Sequence, residues 1–91
     1  MDQEKKLFKS EERYSRADIA AFLRQLADKI EGGQVMLQQG GQEQKLAIPH
    51  HLFMEIEVED EVKTGRGTQH SLEIELKWFD DMATNDTLKL T

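Results

Sequence analysis

Apolar and charged residues alternate without a break along Leu72-Glu73-Ile74-Glu75-Leu76-Lys77-Trp78. A period of two is that of a β-strand with one face turned to a core and the other to water. Leu72, Ile74, Leu76 and Trp78 share the inward parity, and Ser71, Glu73, Glu75 and Lys77 the outward one. Residues 53–63 repeat the pattern: Met54, Ile56, Val58 and Val62 face in, while Phe53, Glu55, Glu57, Glu59 and Glu61 face out. The intervening Gly65-Arg66-Gly67 predicts a turn. With Thr64 and Thr68 closing a three-residue loop, Val58 faces Ile74, Met54 faces Trp78, Glu57 meets Glu75, Glu59 meets Glu73, and Lys77 lies opposite Glu55. A slip of two residues keeps the same faces together.

The rhythm changes upstream. Ile19, Phe22, Leu23, Leu26, Ala27 and Ile30 recur at the spacing of one helical stripe, predicting an amphipathic helix of about four turns. Ser15 caps its start through the backbone N–H of Asp18, and Gly32-Gly33 supplies the left-handed residue that ends it. Val35 and Leu37 in 34–39, the Gly40-Gly41 turn and the run 42–48 read as a hairpin. A two-residue loop sets Val35 opposite Leu46, and Pro49, lacking a donor, closes the second strand. Residues 5–14 read as an edge strand carrying Phe8 and Tyr14 on one parity. The expected order is β-α-β-β-β-β, an α+β domain over 5–78 in two layers. One helix covers one face of a largely antiparallel sheet of about five strands. Residues 79–91 lose the pattern and read as a flexible tail.

The set Ser15-Arg16-Ala17-Asp18, Ala21 through Ala27, Gly33, Leu46 through Pro49 and Glu73 through Trp78 resembles the amphi-Trp domain family over roughly residues 8–78. That family takes its name from an amphipathic strand ending on tryptophan. The resemblance implies a small bacterial or archaeal domain with no established activity, so it brings no functional residues with it.

Ninety-one residues without cysteine exclude disulfides, thiolate metal sites and a cysteine nucleophile. The net charge of −6 opposes duplex nucleic acid and anionic membrane surfaces, and only Lys5, Lys6 and Lys9 cluster. No apolar run has the length of a signal peptide or a membrane span, which makes a cytoplasmic protein the expectation. The glycine pairs lack the strand-to-helix context of a phosphate loop, and no serine sits in a nucleophile-elbow pattern.

Chemistry therefore concentrates on the outward sheet face. Phe53, Glu55, Glu57, Glu59, Glu61, Glu73, Glu75 and Phe79 form a candidate interaction surface, with a second copy of the chain or a basic protein segment as the expected partner. No catalytic, cofactor or metal residues are assigned. A non-catalytic interaction module is the expectation, set against a metal-dependent or acid/base enzyme using the acidic face with His50, His51 or His70.

Overall fold

A computed structural model describes residues 2–82. The chain divides into two compact units, 1–48 and 49–91, each described by itself below.

In the first unit, α1 spans Arg16–Glu31. The Ser15 hydroxyl accepts from the Asp18 backbone N–H at 3.0 Å, satisfying one of the amide donors that every helix start leaves open. At the other end Gly32 N–H donates to the Asp28 carbonyl and Gly33 N–H to that of Ile30, both at 3.0 Å. Gly33 takes φ +86°, the left-handed conformation that turns the chain out of the helix. Strands β1 (Gln34–Gln39) and β2 (Gln42–Ala47) follow as an antiparallel hairpin in which Val35 pairs with Leu46 as the spacing predicts. Gly40 at φ +56° is the first central residue of the two-residue turn, where the strand twist calls for a positive φ. Ile48 N–H adds one more bond, to the Gly33 carbonyl at 2.9 Å. α1 packs on β1. Val35, 4% exposed, is the buried centre of this unit. Around it the half-buried Ala20, Leu26, Ile30, Leu37, Leu46 and Ile48 complete a small core.

The expected first strand over 5–14 does not form; that segment carries no regular structure. It is tied to the β1–β2 turn by glutamine side chains instead. The Lys9 backbone N–H donates to Gln42 Oε1 at 3.3 Å and Gln42 Nε2 donates back to the Lys9 carbonyl at 3.1 Å. Gln39 Nε2 reaches Glu12 Oε1 at 2.9 Å. A side-chain amide carries the same donor and acceptor as a peptide unit, so Gln42 supplies one ladder rung where the backbone supplies none.

The second unit is one long antiparallel hairpin, β3 (Phe53–Lys63) with β4 (Gly67–Lys77), followed by a single 3₁₀ turn, Asp80–Met82. The sheet is therefore not one of about five strands: β1–β2 and β3–β4 are separate two-stranded sheets, and the fold is α+β with one helix and four strands. The alternating pattern specifies that each segment is a strand, but not which edge it joins. Between β2 and β3, Pro49 offers no donor and the chain bends at His50 and His51.

The β3–β4 register also differs from the expectation by two residues. Val58 faces Leu72, Met54 faces Leu76, Glu57 faces Glu73, Glu59 faces Ser71, and Glu55 faces Glu75 rather than Lys77. The connecting residues are Thr64-Gly65-Arg66, with Lys63 and Gly67 paired. Arg66 N–H donates to the Lys63 carbonyl at 3.3 Å, and Gly65 and Gly67 take φ +80° and +79°. The glycines thus sit inside and just after the turn, a position that parity cannot distinguish from its neighbour two residues away. The expected tail begins with the described 3₁₀ turn; the rest of it, 83–91, lies outside the described residues.

Candidate acidic and apolar surfaces of the hairpin

Charge is divided unevenly along the chain. Residues 1–48 hold eight Lys and Arg against eight Asp and Glu, whereas residues 49–91 hold four against ten. The whole net charge of −6 therefore belongs to the hairpin unit.

Alternation sends that charge to one side of the hairpin. Glu55, Glu57, Glu59 and Glu61 line β3, and Glu73 and Glu75 line β4. The register sets Glu55 directly opposite Glu75 and Glu57 opposite Glu73. Facing like charges destabilise a sheet. Lys77 relieves the first pair, its Nζ lying 3.6 Å from Glu75 and 3.8 Å from Glu55. Lys63 reaches Glu61, at 3.1 Å. Among the described residues no cation lies within ion-pair distance of Glu57 or Glu73. At the open end Phe53 and Phe79 meet edge to face with ring centroids 6.4 Å apart, while 51% and 62% exposed. All eight residues of the sequence-derived surface thus lie on this hairpin and its immediate exit.

The other side carries the positions expected in a core. They are not buried: Met54 is 64% exposed, Ile56 59%, Val58 75%, Leu72 66% and Ile74 57%. Leu76 and Trp78 are half-buried. Periodicity measures which residues share a face; it does not supply the layer that covers the face.

Of the histidines, His50 and His51 lie exposed in the bend after β2. His70 pairs across the strands with Asp60, its Nδ1 2.7 Å from Oδ1. Both side chains are well over half exposed, so water screens the pair and its contribution is small. Among the described residues no three His, Asp or Glu side chains converge as a metal-ligand set.

The register error hid this pair, because the three-residue loop assumed from the glycines placed other residues opposite one another. A groove in the first unit also escaped the sequence. Phe8, Tyr14, Ile19, Phe22, Met36 and Leu37 line it, together with Gln39. A signal that could have found it is Met36, an apolar residue on the outward parity of β1. Among the described residues no helix is long and apolar enough to cross a membrane.

No curated protein and no solved structure matches the chain. The amphi-Trp domain model matches residues 1–91, so the relationship extends past Trp78 and before Phe8, beyond the 8–78 that the motifs alone outlined. With its whole length matched, the chain belongs to the amphi-Trp domain family.

Proposed function

We propose that the chain is a non-catalytic interaction module whose acidic hairpin face receives a basic protein segment. The observation that carries this reading is the Glu57–Glu73 pair, two glutamates set opposite each other with no cation within ion-pair distance among the described residues. The repulsion is a standing cost to the isolated hairpin, and a Lys or Arg from a partner laid across the face removes it. The exposed Phe53 and Phe79 rings add an apolar and aromatic contact at one end of the same face, a combination suited to the long stems and cationic heads of basic residues.

The test is a titration of the isotope-labelled protein with a Lys- and Arg-rich peptide at low salt. Amide shifts confined to Phe53–Glu61 and Ser71–Lys77, lost at high salt and lost in the Glu57→Lys, Glu73→Lys double variant, support the reading. Unmoved amides at millimolar peptide sink it. Shifts of the same amides with millimolar calcium, magnesium or zinc alone replace the basic segment with a cation.

A further inference from the structure

We infer that the first unit is a hinged clasp. Its helix α1 and its hairpin β1–β2 part from a hinge at Gly32-Gly33, and residues 8–14 are the latch that holds the other end closed. The device lies wholly within residues 8–48 and stands independently of what the acidic face binds.

The α1 and β1 elements run back from their covalent joint. Sixteen residues of helix reach about 24 Å, and six of strand about 20 Å, so the start of α1 falls near the end of β1. At the joint the two are closed. Val35 is buried there, and the Gly33 carbonyl is tied to the end of β2 through the Ile48 N–H. At the other end a gap of about 680 Å³ remains, with Ile19 and Phe22 of α1 and Met36 through Gln39 of β1 in its lining.

Residues 8–14 bridge that wide end. Followed back from Ser15, the chain crosses first β1 and then β2 at their last paired residues, Gln39 and Gln42. Gln39 Nε2 donates to Glu12 Oε1 at 2.9 Å and to Tyr14 Oη at 3.5 Å, and Gln42 exchanges two bonds with the Lys9 backbone. Phe8 and Tyr14 add their rings to the lining of the gap. Among the described residues the backbone of 2–14 makes no bond to another backbone group. The polar ties from latch to hairpin thus run through two glutamine side chains. Water competes for each of these bonds, which leaves each with a small net contribution. At the hinge, two adjacent glycines tolerate a rotation that a Cβ would resist. Release of two side chains therefore lets the first turns of α1 swing from β1 while the Val35 end stays packed, and the gap between Phe22 and Met36 widens.

Pulsed electron paramagnetic resonance on the intact chain tests this, since no native cysteine competes for the labels. One pair of spin labels, on Arg16→Cys and Glu43→Cys, spans the latched end. A second pair, on Glu31→Cys and Ala47→Cys, spans the hinge end. With Gln39→Ala and Gln42→Ala added, the first distance is expected to lengthen and its distribution to broaden, while the second stays as it was. A latched-end distribution unmoved by the two glutamine changes overturns the inference. A shift of both pairs together signals loss of the fold, and the unaltered sequence then decides. In it, relaxation dispersion is expected at the Ile19 and Met36 methyl groups with the same rate as at the Lys9 amide, and not at Val35. Flat dispersion at Ile19 and Met36, or one rate shared with Val35, overturns the inference as well.

Discussion

Glu57 and Glu73 carry opposite consequences for binding and stability. Replacing Glu73 by Lys converts a facing like-charge pair into an opposite-charge one, which is expected to stabilise the hairpin by about 0.2–1 kcal/mol. Urea denaturation measures it, and a destabilised variant would show that the side chains avoid each other at no cost. The same substitution removes the proposed attraction for a basic segment, so stability and affinity move in opposite directions. Ser15 gives a second prediction at this scale. Its hydroxyl is the acceptor for the Asp18 amide, and Ser15→Ala is expected to cost about 1 kcal/mol, read as a lower denaturation midpoint with an unchanged slope.

Among the elements, the two hairpins are built by different rules. In the β1–β2 turn only Gly40 has a positive φ, and a Cβ at either Gly40 or Gly41 meets nothing within 4 Å. Steric room is thus equal at the two positions and backbone conformation is not. Gly40→Ala is expected to destabilise the hairpin by about 1 kcal/mol, and Gly41→Ala to leave it nearly unchanged; equal losses would show that space rather than φ decides. The segment before α1 is held by side-chain amides rather than by a ladder. Gln42→Ala removes both bonds to Lys9 and is expected to speed amide exchange at Lys9 while leaving α1 protected. Exchange of Lys9 at the same rate in both proteins would assign its restraint elsewhere.

At the level of the whole molecule the uneven charge sets the response to salt. A hairpin unit with ten acidic and four basic residues carries net repulsion that screening reduces. Raising sodium chloride from low to physiological strength is expected to stabilise β3–β4, seen as slower exchange of its amides. The balanced residues 1–48 should respond far less.

The sequence by itself determined the local facts about this protein. Ser15, the stripe from Ile19 to Ile30 and Gly33 specify α1 and both of its ends, because capping and the 3.6-residue period depend only on neighbours along the chain. Gly40-Gly41 fixed the Val35–Leu46 register, since a two-residue loop leaves one solution. Alternation placed the six glutamates on one side of a hairpin and the aliphatics on the other, and so outlined the acidic surface. Only the tertiary structure decided what those elements join and cover. Two registers of β3 on β4 satisfy parity equally, and only the position of Gly65 and Gly67 within the turn separates them. Segment 5–14 has strand-like spacing but finds its hydrogen bonds in Gln39 and Gln42. The four strands form two sheets rather than one, since a strand's pattern states which side it buries and is silent on which edge it pairs with.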